Sequence, residues 1–126
     1  MARYRVITPL NAVTASVANT AAAPIEIGRA DKVTFQFTRA DHSSGSSLFG
    51  VEVSNDGTNW VAYNKLIDNV TNANSETLTR VATSTLSSDT SKVYTMSPED
   101  GYEYLRVYVT ETTDGTHTAT VYIQQD

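Results

Sequence analysis

The chain has 126 residues, 40% hydrophobic and 18% charged, with no cysteine and a formal net charge of -5. That length suits one domain held by packing alone, and the missing thiols exclude a disulfide framework and a thiolate metal site. Acids are spread along the chain, which argues against a broad basic nucleic-acid face; the alanine-rich stretch from Asn11 to Ala23 is broken by Thr14, Ser16, Asn19 and Thr20, so neither signal peptide nor membrane span is expected.

Taken in chain order, alternation of apolar and polar residues predicts strands from Tyr4 to Thr8, Val13 to Val17, Ile25 to Ile27, Lys32 to Thr38 and Ser47 to Ser54. Further strands are predicted from Trp60 to Ile67, Thr77 to Leu86, Lys92 to Met96, Tyr102 to Thr110 and Thr118 to Gln124. Residues 1–9 read either as the first strand or as an extended N-terminal arm carrying Arg3, Tyr4 and Arg5. Val33, Phe35 and Phe37 give the cleanest alternation, followed by Phe49, Val51 and Val53, so these strands should form the core. No segment holds a helical period, and a short helical turn near Ser97 to Asp100 is the most that is expected. Polar connections are read from Ala40 to Ser46 and from Asp68 to Glu76. The expected architecture is all-β, a single antiparallel β-sandwich over residues 1–126, jelly-roll or immunoglobulin-like.

Two Asp-Gly turns, Asp56-Gly57 and Asp114-Gly115, each lie between alternating segments, a strong hairpin signal. A three-residue loop at Asp114-Gly115-Thr116 would pair Val107 with Ile123, Val109 with Val121 and Tyr108 with Tyr122. The same reading at Asp56-Gly57-Thr58 sets Val53 opposite Val61 and Val51 opposite Tyr63, with Trp60 beside Ser54 on the opposite face.

Catalytic chemistry finds little anchor. His42 and His117 are the two histidines, each in or beside a polar turn and read as solvated loop residues, and no second ligand stands at metal spacing. No Gly-x-Ser-x-Gly elbow is present. Glu99, Asp100, Glu103 and Glu111 read as turn and solvent-face acids rather than a glycosidase pair. Asp56 and Asp114, with Asn55 and Thr116, have oxygens to offer calcium but lack EF-hand spacing. The expectation is a protein that is not an enzyme and holds no cofactor or metal.

The tyrosines are more informative. Tyr102, Tyr104, Tyr108 and Tyr122, with Arg106, are placed by alternation on the face opposite Leu105, Val107 and Val109. Tyrosine and arginine supply large contact area and are enriched at interface hot spots, so these residues are read as a protein interface. The bland alternative is a second sheet side covered by a neighbouring segment.

The run Val51-Glu52-Val53-Ser54-Asn55-Asp56-Gly57-Thr58-Asn59-Trp60, then Thr77 to Arg80, then Tyr104-Leu105-Arg106-Val107-Tyr108-Val109, resembles small β-sandwich structural proteins of tailed bacteriophages over roughly residues 33 to 125. The resemblance implies a virion component at the capsid surface, a decoration (cement) or accessory protein that stabilises the shell. Its implied partners are the major capsid protein or another virion protein, and copies of itself as a symmetric homo-oligomer for which a trimer suits a local three-fold. No nucleic acid or membrane partner is implied. The turn-and-tryptophan pair and a Tyr-x-Arg-Val strand also occur in discoidin-like carbohydrate-binding modules, whose ligand-contacting loops have no match here, so no sugar-binding residue is implied by that resemblance. The alternative function is a carbohydrate-binding module or tail adhesin with Trp60 or the tyrosine patch stacking on sugar rings.

Overall fold

Phe35, Phe37, Phe49, Val51, Val107 and Val121 occupy alternate positions of their strands, and each is 1% exposed or less. Two-residue periodicity delivers one side of every such strand to a common interior. In the computed structural model, which describes residues 3–14, 24–68, 80–97, 101–111 and 114–125, that interior lies between two antiparallel sheets.

The strands are β1 (Arg3–Val13), β2 (Ile25–Glu26), β3 (Lys32–Ala40), β4 (Ser47–Ser54), β5 (Val61–Ala62), β6 (Leu66–Asp68), β7 (Arg80–Val81), β8 (Thr83–Leu86), β9 (Thr90–Thr95), β10 (Tyr104–Glu111) and β11 (Thr116–Gln125). One sheet has the order β1-β11-β3-β9-β6-β7; the other runs β2-β10-β4-β5, with β8 also on β4. Phe37 of the first sheet stacks on Phe49 of the second, centroids 4.9 Å apart, and Tyr94 tilts against Phe37 at 5.7 Å. The all-β sandwich expected from alternation is therefore the observed architecture, and no described residue is helical.

The last Asp-Gly turn does not close a hairpin. β10 pairs with β4 and β2, whereas β11 pairs with β1 and β3, so the chain at Asp114-Gly115 crosses from one sheet to the other. Val107 lies opposite Val51 and Tyr108 opposite Gly50; Ile123 lies opposite Arg5 and Val33, and Tyr122 opposite Val6 and Thr34. The physical reason is a degeneracy. A hairpin and an inter-sheet crossover both turn Leu105, Val107 and Val109 and Ala119, Val121 and Ile123 toward the core, where all six are 1% exposed or less. The earlier turn does hold its expected register, with Val53 opposite Val61 and the Tyr63 amide donating to the Val51 carbonyl at 2.9 Å.

Other boundaries shift. The span from Trp60 to Ile67 is two strands in different sheets, with buried Tyr63 between them. The described part of Thr77 to Leu86 divides likewise at Ala82 into β7 and β8. Residues 3–13 form one strand on β11, with register shifts after Ile7 and after Leu10. Thus Val13 ends β1 rather than opening a new strand, and 15–17 lie outside the described residues. So do 98–100 of the expected helical turn and 69–76 of the asparagine-rich connection, whereas Asp68 closes β6.

Candidate functional site

The outward face of the five-stranded sheet is built on β10 and β4. Tyr104, Arg106 and Tyr108 alternate along β10 against the core-facing Leu105, Val107 and Val109. Glu52 is the direct partner of Arg106, whose Nε donates to Glu52 Oε1 at 2.8 Å, with side chains only 11% and 12% exposed. Trp60 comes off the Asp56-Gly57 turn onto this same face, and the Arg106 guanidinium lies 4.2 Å from its ring centroid. The result is a layer of indole, guanidinium and carboxylate in which the ion pair also fixes the cation over the ring.

Both flanking tyrosines lie beside a glycine, and Gly50 makes room for Tyr108. A Cβ on Gly50 would lie 2.3 Å from the Tyr108 ring and hydroxyl, so the ring lies across bare backbone. Tyr104 packs on Gly57, where φ is +75. Partial burial, and secondarily the Glu52 charge, push the Tyr108 phenol up from its usual range, so it stays a neutral donor through physiological pH.

The turn supporting Trp60 is rigid. The Asp56 carboxylate accepts from the Thr58 and Asn59 amides at 2.8 Å each, from Asn59 Nδ2 at 2.7 Å and from Ser54 Oγ at 2.9 Å. These bonds, led by Asn59, pull its pKa well below the usual carboxylate range. Asp114 accepts from the Ser43 amide at 2.9 Å and from the Ser43 hydroxyl, and these bonds hold its carboxyl low as well. Asp56 is occupied by its own turn, and Asp114 by Ser43 of the connection between β3 and β4. Among the described residues no three His, Cys, Asp or Glu side chains gather as a metal site.

The expected tyrosine and arginine patch is divided. Tyr104, Arg106 and Tyr108 do share a face with Trp60. Tyr122 lies on the outward face of the other sheet, stacked at 5.6 Å on Tyr4. Pairing of Tyr108 with Tyr122 is thereby corrected, for the reason that divides β10 from β11. Tyr102 is half-buried against the core, edge-on to Tyr63 at 6.0 Å. Arg3 and Arg5 lie on β1, where the Arg5 guanidinium donates to the Glu26 carbonyl at 2.5 Å.

His117 is not a solvated loop residue. It is 0% exposed, with Nε2 2.5 Å from Ser47 Oγ, Nδ1 3.1 Å from the Val13 carbonyl and its ring edge-on to Phe49. Ser47 is equally buried, so this serine and histidine pair is sealed from any substrate. His42 keeps a loop position, half-buried beside Asp89 at 3.5 Å. Arg39 was not singled out by sequence and is the largest buried polar group. Its guanidinium donates to the carbonyls of Gly45, Leu86, Ser44 and Asp114 at 3.0, 3.1, 3.0 and 2.6 Å, tying three connections together. The signal was its phase: Val33, Phe35, Phe37 and Arg39 all point inward.

No family model matches the chain, and no curated protein matches it. Solved structures do. Over 99% of this chain and 96% of the other, the fold is similar to the SPBc2 prophage-derived protein YomS, with TM-score 0.69 at 13% identity. It is also similar to the PBSX exported protein XepA, with TM-score 0.68 at 7% identity over 98% of this chain, which spans only 38% of XepA. At such identities the likeness establishes a shared sandwich fold.

Proposed function

We propose that this chain is a non-enzymatic structural protein of a phage virion that docks on the capsid surface, or on another virion protein, through the outward face of the five-stranded sheet. The observation that carries the reading is the layer of Trp60, Arg106 and Glu52 flanked by Tyr104 and Tyr108. It is a pre-ordered surface of large side chains whose rotamers are already fixed, so little ordering cost remains on contact. A fold shared with a prophage-derived protein supports the same reading. A decoration or cement role follows if the partner is the shell, and a symmetric homo-oligomer, with a trimer at a local three-fold, would multiply the contact by avidity. For the sugar-binding alternative, Arg106 over one face of Trp60 leaves only the opposite face of the indole for a sugar ring.

The test is co-sedimentation of the purified protein with emptied, expanded capsids of the parent particle, beside a glycan array. Saturable capsid binding that Arg106→Ala weakens, without glycan hits, is the expected outcome. Glycan binding without capsid binding would overturn the reading.

A further inference from the structure

Charge is distributed unevenly along this chain. The first acid is Glu26, so residues 1–25, with Arg3 and Arg5, carry +2 while the remainder carries -7, together the net -5. Both arginines lie on β1, which among the described residues pairs with β11 alone and leaves its other backbone edge without a ladder. From Arg3 to Ile7 the pairing is continuous, so five residues present a regular edge before the first register shift. Tyr4 and Val6 stand on the outer side of this stretch, 60% and 64% exposed. Arg3 and Arg5 take the inner phase, opposite Gln125 and Ile123. Arg5 reaches a cleft of about 500 Å³ between the sheet margins, lined also by Glu26, Arg29, Glu103 and Gln125.

An open edge is a template for another strand, and inward-pointing charge is a common device against indiscriminate pairing. Here that charge also selects. A second copy added antiparallel would bring four arginines, two from each chain, to one seam. A segment with carboxylates in the same phase would neutralise them instead. Directly opposed residues share a face, so carboxylates at alternate positions would meet Arg3 and Arg5 while intervening apolar side chains cover Tyr4 and Val6.

We propose that the open edge of β1 accepts an extended acidic strand from a partner protein, its carboxylates alternating with apolar side chains and facing Arg3 and Arg5. The inference rests on the virion reading for the identity of the partner, a shell or tail protein, but its test does not.

The full chain is titrated, by fluorescence anisotropy, into a labelled end-blocked peptide of sequence Thr-Glu-Val-Glu-Val-Thr. Three controls run beside it: the same composition with the glutamates in one block, lysine in place of glutamate, and the acidic peptide N-methylated at alternate residues. Saturable binding at least tenfold tighter for the alternating acidic peptide than for every control is expected. Arg3→Glu combined with Arg5→Glu should weaken it by tenfold or more and make the lysine peptide the tighter ligand. Arg5→Glu gives up the bond to the Glu26 carbonyl and adds a carboxylate beside Glu26 and Glu103, so the double variant should melt below wild type. Arg3→Glu alone, which breaks no such bond, should still weaken the acidic peptide; if the double variant does not fold, the single variant and the N-methylated control decide. Equal binding of the block or N-methylated peptide would reduce the effect to charge attraction and overturn the proposal, as would no saturable binding. Sedimentation showing a dimer that cross-links through Val6→Cys would also overturn it, by assigning the edge to a second copy. Peptide binding without capsid binding would sink the virion reading alone, and capsid binding without peptide binding would sink this inference alone.

Discussion

Replacing Arg39 with methionine isolates the hydrogen bonds from the packing, because the unbranched apolar chain fills much of the same space. The Leu86 carbonyl, whose bond is buried, would lose its guanidinium partner at a cost of about 1–3 kcal/mol. The carbonyls of Gly45, Ser44 and Asp114 sit in part-buried bonds that water can replace, so each loses roughly 0.5–1 kcal/mol. Against this, the wild type bears the desolvation of a cation whose Nε is buried without a partner, and methionine removes that burden. Apolar replacement of a buried ion pair is often neutral because both charges leave together; here the acceptors stay behind. The net expectation for Arg39→Met is a loss of about 2–4 kcal/mol, a large share of the roughly 5–15 kcal/mol that holds a typical domain. Urea denaturation followed by Trp60 fluorescence measures it, with the denaturant slope checked for constancy. A midpoint within about 0.5 kcal/mol of wild type, or above it, would show that desolvation outweighs the bonds and refute the argument.

Val107→Ala, at a site 0% exposed, should cost about 1–3 kcal/mol through lost burial and a residual cavity, read from the same denaturation curves. Gly50→Ala drives a methyl into the Tyr108 ring; the tyrosine must leave its seat, destabilising the fold by about 1–3 kcal/mol and weakening capsid binding together. Tyr104→Ala with Tyr108→Ala should leave a cooperatively folded protein that sediments poorly with capsids; loss of the unfolding transition would show these rings to be structural instead. For pH, Asp56 and Asp114 both have depressed folded-state pKa values, so their contribution is complete above the unfolded value near 4 and is lost as pH falls below it toward the folded value. The melting temperature should therefore hold from about pH 7 to pH 5 and drop below about pH 4, with a shallower drop in Asp56→Asn.

Periodicity carried most of the fold. Val33, Phe35, Phe37, Phe49, Val51 and Val53 identified themselves because a side chain's direction is local information, set by its own strand. Sheet membership is not local. Nothing in the sequence around Asp114-Gly115 separates a hairpin from a crossing, since both bury the same apolar set, and the error there carried Tyr122 to the wrong face. The site was legible where one strand sufficed: Tyr104, Arg106 and Tyr108 share a side whatever their neighbours. Contact between Arg106 and Trp60 depends on β4 bringing its turn beside β10, which pattern reading does not reach. Arg39 escaped notice and His117 was misread as a loop residue because a polar residue next to a loop reads as solvated, although each continues the inward phase of its strand.

The position of β11 between β1 and β3 also bears on synthesis. On the ribosome, β1 and β3 emerge more than a hundred residues and about eighty residues, respectively, before the middle of β11, and neither obtains this shared neighbour until then. Until β11 arrives, the inward phenylalanines of β3 lack a strand on that side, so closing the larger sheet is a late event that must span the widest separation in the chain. Such a topology folds slowly and leaves its nascent form open to association with other chains. Truncation within β11 should accordingly yield insoluble protein rather than a smaller sandwich.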